Sequence, residues 1–202
     1  DNFSNAGCLK LLLEADQKAK FVGFTLSIHA LHSFKVTEKG EGNFAFFYAM
    51  LAALSDEERA FLRLEASPQR YSMLQVKGKP RSDLPAFSGT IKALREVLGS
   101  QVFSQVARVT AAILKLGNMR NSIQESKPLF NDIHKILDFR SSELFTYLMM
   151  DKNGMVLKTP DFLERSECLM EALLCSLVHL VLTALNDNEL SRNKEKLGAR
   201  PA

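Results

Sequence analysis

The sequence predicts an all-α fold, an irregular bundle of several helices, from three observations. Apolar residues recur three, four and seven apart through most of the 202 residues, the period of helices buried along one face. Gly, Asn and Pro fall between those runs as helix punctuation. Ser55-Asp-Glu-Glu58 reads as a capping box, the strongest helix-start signal in the chain.

Asn5 can cap a short helix over Ala6 to Ala15, and Asp16 a longer one to about Phe34 through Phe21, Val22, Phe24, Thr25, Ile28 and Leu31. Thr37 to Asn43 holds two glycines and reads as a loop. Phe44 to Leu54 is apolar nearly all round, which suits a helix buried or lying under a partner. Ser55 then opens a helix to Glu65 or Ala66, and Pro68-Gln-Arg70-Tyr71 starts a short one that fades at Val76. Lys77, Lys79 and Arg81 sit in a Gly- and Pro-punctuated basic loop. With Arg70 they form a candidate positive patch for an acidic surface, or simply a solvated loop. Ser88 to Leu98 is a capped amphipathic helix closed by Gly99, and Ser100 caps the next.

The central helix runs from Val102 to Leu116 and ends at Gly117-Asn118, residue types that accept the left-handed closing conformation. A second amphipathic segment follows over Pro128 to Leu137. Asp138-Phe-Arg140-Ser-Ser142 breaks it, and Glu143 to Leu148 begins a third. Asn153-Gly154 reads either as a hairpin turn or as a helix end with a tight loop. Thr159-Pro160-Asp161 starts a long helix that Asn186-Asp-Asn188 is expected to end. Residues 189–202 are expected to be a flexible basic tail, and residues 1–188 a single helical domain.

Composition bounds the function. Hydrophobic content of 46% with 24% charged is ordinary for a globular chain, and a net charge of +3 does not by itself imply nucleic acid, so that partner is not expected on charge. Cys8, Cys168 and Cys175 are too few and scattered for a disulfide framework, and Cys168 and Cys175 are expected in the core. Asp1-Asn-Phe-Ser lacks the opening of a signal peptide. Leu169 to Leu185 is short for a membrane span and carries Glu171, so no membrane association is expected. The four histidines lack carboxylate or cysteine companions at ligand spacing, and no phosphate loop, dinucleotide fingerprint or Gly-x-Ser-x-Gly is present. No metal, cofactor or enzymatic activity is expected.

The order of features from Ile91 to Leu163 carries a resemblance. It comprises Ile91-Lys-Ala-Leu-Arg-Glu96, Leu116-Gly117-Asn118-x-x-Asn121, Phe130-x-x-Ile133-x-Lys135-Ile136-x-Asp138-x-Arg140-Ser141, Leu144-x-x-Tyr147-Leu148, and Val156-Leu157-Lys158-x-Pro160-Asp161-x-Leu163. This series resembles the formin homology two domain, the actin-assembly core of formins. By that resemblance residues 16–76 are a knob-like part and 88–165 a post-like part. The resemblance implies actin contact through Phe24, Lys135 and Arg140, and a groove for a partner's lasso at Gly117, Asn118 and Asn121. The chain has no Trp, few residues precede the knob-like helix, and Ser122-Ile-Gln-Glu-Ser-Lys127 replaces the family's Gly-rich run. A lasso-less core follows, with a homodimer only if a lasso exists outside this chain. The implied function is an actin-binding domain, cytoplasmic and cytoskeletal, that modulates filament nucleation and barbed-end assembly. The alternative is a helical interaction module or scaffold without actin activity.

Overall fold

The computed structural model describes residues 8–15, 21–29, 45–74, 84–119 and 123–198. Six helices make up most of it: α1 (Ala45–Ala53), α2 (Asp56–Phe61), α3 (Leu84–Leu116), α4 (Ile123–Leu137), α5 (Ser141–Met149) and α6 (Thr159–Gly198). The mostly helical architecture expected from periodicity is therefore what the chain adopts.

The second half of α3 is the axis of the core. Every residue from Thr110 to Leu116 is buried, Lys115 included. Seven consecutive buried positions cannot lie on one helix face, so this helix is enclosed on all sides rather than along a stripe. Its neighbours are α1, α4 and α6. They supply Phe47 and Met50, Phe130 and Ile133, and Phe162 and Met170, all nearly inaccessible to solvent. Thr110 is an exception to good core chemistry: among the described residues its buried hydroxyl has no hydrogen-bond partner. We expect Thr110→Val to raise the unfolding free energy by about 1 kcal/mol, since it removes a desolvated hydroxyl at nearly constant shape. A melting temperature that falls would show that the hydroxyl is satisfied in solution.

Local signals are realised closely in the middle of the chain. Ser55 Oγ accepts from the Glu58 amide at 3.1 Å while the Ser55 amide donates to the Glu58 carboxylate at 2.8 Å, the reciprocal capping box. Helix α2 is shorter than expected, because Arg63 turns into the left-handed region at φ 53° and ends the run. Two short 3-10 turns, Pro68–Arg70 and Ser72–Leu74, stand where the short helix was expected. Gly99 interrupts α3 with φ 74° and ψ 166°, the break its position foretold.

Within this mostly helical fold, the two N-terminal helices expected over residues 6–15 and 16–34 give way to strands. Cys8–Ala15 and Phe21–His29 are strands β1 and β2, paired antiparallel from Cys8↔His29 to Glu14↔Gly23, with a bulge between Glu14 and Ala15. The helix reading of 16–34 missed a cleaner pattern: Phe24, Leu26 and Ile28 alternate with Thr25, Ser27 and His29, the period of a strand. Phe24 therefore lies on a strand opposite Leu13, not on a knob helix.

Two further expectations need correction at α6. The helix continues through Gly198 instead of stopping at Asn186–Asn188, so the tail reading of 189–198 gives way to helix. Those asparagines do not break the helix because their side chains serve tertiary contacts. The Asn186 amide donates to Leu26 O and accepts from Leu26 N, both at 2.9 Å, and Asn188 Nδ2 donates to Val97 O. Asn186 thus stands in for a neighbouring strand along the outer edge of β2, satisfying backbone groups that an open sheet edge would expose. Cys168 is exposed and Cys175 half-buried, so neither belongs to the core proper. By length and composition Gly89–Leu116 and Thr159–Glu189 could each cross a membrane. Their most apolar windows are 50% and 22% buried within the protein.

Candidate functional site

Helix α4 ends where Asp138 enters the left-handed conformation at φ 57°, and the chain turns into α5. Arg140 takes the cap position of α5 in extended backbone, its side chain 85% exposed and 3.9 Å from the Glu143 carboxylate. Lys135, on the last turn of α4, is also exposed. These two cations of the expected actin-contacting set lie at one corner, between α4 and α5.

The far end of α5 is held from α6. The Arg165 guanidinium donates to Tyr147 O at 2.6 Å and Met150 O at 2.7 Å, and lies 5.8 Å from the centre of the Tyr147 ring. A positive side chain on the final carbonyls of a helix is the favourable sign for its dipole. Beyond Met149 the chain makes a small hairpin-like turn. Met150 bridges Val156, the Asp151 amide donates to Met155 O, and the Leu157 amide donates to Met149 O. The Asp151 carboxylate accepts from the Met155 and Asn153 amides at 2.9 and 2.8 Å. Those bonds hold its pKa below the ordinary carboxylate range. Gly154 supplies the positive φ the turn requires, 78°. Both open readings of Asn153-Gly154 are realised together: a helix end and then a tight hairpin.

This region leaves apolar surface in water. Among the described residues the large apolar side chains most exposed are six, and four of them lie on α5 or in the segments beside it: Phe139 at 43%, Tyr147 at 46%, Met155 at 67% and Val156 at 63%. Exposed apolar residues beside exposed arginine have the composition of binding surfaces rather than of a general protein exterior. Sequence reasoning missed Phe139, Met155, Val156 and Arg165 as site residues. One signal was available: apolar residues at the tip of an Asn-Gly turn have little to bury against.

The other expected site residues are placed apart. Phe24 is on β2, which meets α6 at Asn186, whereas α5 meets α6 at Arg165. About 30 Å of helix axis separates those two levels at 1.5 Å per residue. Phe24 and Arg140 are not brought into one small site. At the end of α3, Asn118 Oδ1 accepts from Ser72 N and Asn118 Nδ2 donates to Arg70 O, each at 2.7 Å, while Ser72 Oγ donates to Gly117 O. Gly117 lies close to Met73, whose sulfur would stand 3.0 Å from an added Cβ. The Leu-Gly-Asn helix end therefore ties the Pro68–Leu74 segment to α3. Asn121 lies outside the described residues. Of the basic patch, Arg70 is exposed and paired with Glu65 at 3.0 Å, while Lys77, Lys79 and Arg81 lie outside the described residues.

One charged group of this half is structural. Asp132 on α4 receives Lys115 Nζ and an Arg63 guanidinium nitrogen, each at 2.8 Å, and the Lys115 side chain is only 8% exposed. Burial works to raise the Asp132 carboxyl, but hydrogen bonds from Lys115 and then Arg63 outweigh it and hold it below its usual range. Among the described residues no group of three His, Cys, Asp or Glu gathers in metal-binding fashion.

No family model matches the chain. It is 27% identical over 128 residues to Chitin synthase 5 of Cryptococcus neoformans var. grubii, a match covering 59% of this chain and 7% of that protein. It is 30% identical over 128 residues to Unconventional myosin-Ib of Mus musculus and of Homo sapiens, covering 57% of this chain and 12% and 11% of those proteins. The chain thus spans about a tenth of the length of these relatives. Each match takes in more than half of the chain, so the matched stretches necessarily overlap.

Proposed function

We propose that this chain is a helical, actin-linked piece akin to one in myosin-Ib, and that it meets actin along α5 and the turn that follows. The observation that carries the reading is the run of exposed apolar residues on and beside α5, Phe139, Tyr147, Met155 and Val156, together with exposed Lys135 and Arg140 near its start. Actin presents an acidic exterior, which suits the two cations. The aromatic and aliphatic tips supply the desolvated centre that interfaces need. A stretch shared by a protein named for chitin synthesis and one named as a myosin is more simply a piece common to both than the part that makes chitin. The formin-like order of motifs and the partial likeness to a protein named as a myosin are the two lines this reading starts from.

Filament binding is the core of the proposal, and nucleation or barbed-end assembly is its formin-type extension. The scaffold alternative draws support from Asn118 and Gly117. Their polar groups are taken by Arg70 and Ser72 of the same chain, so a partner's lasso would have to displace them. Co-sedimentation with filamentous actin tests the core. We expect the chain to pellet with filaments, and Tyr147→Ser combined with Met155→Ser to weaken pelleting about tenfold or more. Pyrene-actin assembly tests the extension, with a shortened lag expected only for a nucleator. A chain that never pellets, at low salt or high, would leave the scaffold reading in place of actin binding.

A further inference from the structure

Of the two outer edges of the N-terminal sheet, one is taken and one is open. On β2, the Asn186 side chain satisfies both the N–H and the C=O of Leu26. Those groups point away from β1, so Leu26 and Leu11 across from it form a non-hydrogen-bonded pair. The N–H and C=O of Leu11 therefore point outward too, along the free edge of β1. Alternation sends the same groups of Leu9 and Leu13 in that direction. Among the described residues the sheet holds β1 and β2 alone, and α6 packs against β2, so no strand pairs with this edge. An open edge is a template for another strand.

The sequence of that edge is complementary to itself. β1 reads Cys8-Leu-Lys10-Leu-Leu-Leu-Glu14-Ala15, and Lys10 and Glu14 are the only Lys, Arg, Asp or Glu of either strand. On β2 they stand opposite Ser27 and Gly23, so the sheet itself offers neither a counter-charge. A second β1 added antiparallel must set outward-bonding residues against outward-bonding residues, which pairs odd positions with odd ones. Centring that pairing on Leu11 puts Lys10 opposite Leu12 and Glu14 opposite Cys8. Centring it on Leu13 puts Glu14 opposite Leu12 and runs Lys10 past the end of the strand. Centring it on Leu12 puts Lys10 opposite Glu14 at both ends.

We propose that the free edge of β1 receives β1 of a second copy of this chain, antiparallel and centred on Leu12, to make one four-stranded sheet. A twofold axis at Leu12 makes the contact isologous. On each side of the axis Leu11 and the partner's Leu13 exchange both backbone hydrogen bonds. Lys10 stands across from the partner's Glu14 at a non-hydrogen-bonded position, where facing residues come closest. Growth stops at two copies, because Asn186 already holds the far edge at Leu26. The pairing needs no lasso, and it does not depend on actin binding at α5.

Sedimentation equilibrium of the full chain without actin tests this. The wild type is expected in a monomer–dimer equilibrium with nothing larger. Lys10→Glu and Glu14→Lys should each weaken the dimer about tenfold, because symmetry turns two opposite-charge pairs into two like-charge pairs. An equal mixture of the two variants should recover the dimer, since each strand then supplies the charge the other requires. The double variant Lys10→Glu with Glu14→Lys should pair as the wild type does, which separates lost pairing from lost folding. A wild type that stays monomeric, an assembly larger than two, single variants as tight as the wild type, or no recovery in the mixture and the double variant would overturn the proposal.

Discussion

Replacing Asp132 with Ala is expected to lower the unfolding free energy by about 3 kcal/mol, the largest single loss the structure predicts. Lys115 sits among the consecutive buried residues of α3, and its ammonium answers to the Asp132 carboxylate at 2.8 Å. Removing the carboxylate leaves that ammonium enclosed and unpaired. The same carboxylate also holds Arg63, the residue whose positive φ ends α2, so the network joins the α2 exit, α3 and α4. If the loss comes from the stranded charge, Lys115→Met together with Asp132→Leu should recover most of it, because a packed apolar pair needs no counter-ion. Urea unfolding of the single and double variants measures both. The pH dependence has a definite sign. Asp132 titrates lower in the folded chain than in the unfolded one, so its contribution is present above the unfolded value near pH 4. It is lost as pH falls through the folded value. The double variant should therefore resist acid better than the wild type below about pH 4.

Gly99→Ala is expected to cost about 2 kcal/mol through the backbone alone. At φ 74° and ψ 166° Gly99 occupies a conformation that side chains strongly disfavour, and an added Cβ would meet nothing within 4 Å. Strain, and not crowding, is the mechanism. Relieving it would straighten α3 and move Leu98 and Phe103, which lie on either side of the break and are both buried. Gly117→Ala gives the contrast. Its Cβ would approach Met73 Sδ at 3.0 Å, and this flexible, half-buried side chain needs to give by only a few tenths of an ångström, so the change should be less than about 1 kcal/mol. Equal losses at the two glycines, read from urea midpoints, would contradict the assignment of strain to Gly99.

What could be read from residues alone follows how local the physics is. The capping box at Ser55, the break at Gly99 and the position where α3 ends were legible, because each is decided within a few residues, although Gly117 and Asn118 close the helix by tight turns and not in the left-handed conformation expected of them. The strands were not. The segment 21–29 offers apolar residues at both helical and alternating spacing, and tertiary pairing with Cys8–Ala15 decides between them. The end of α6 was misread for a related reason: Asn186 looks like a terminator until its amide is seen holding both backbone groups of Leu26. At the candidate site, Lys135 and Arg140 were picked out by the resemblance alone, and both are exposed at helix ends, as charged residues there usually are. Tyr147 could not, since helical spacing alone does not say which face of α5 stays exposed, while Met155 and Val156 carried only the signal of apolar residues beside an Asn-Gly turn. Phe24 was assigned by resemblance to a helix, and the structure puts it on a strand at the other end of α6.

Amide hydrogen exchange of the chain alone and bound to filamentous actin tests the proposed surface most directly. Segments 139–149 and 150–157 should gain protection in the presence of filaments, with β2 unchanged. Protection confined to β2 around Phe24, or no protection at a filament concentration that pellets the chain, would contradict the placement of the partner along α5.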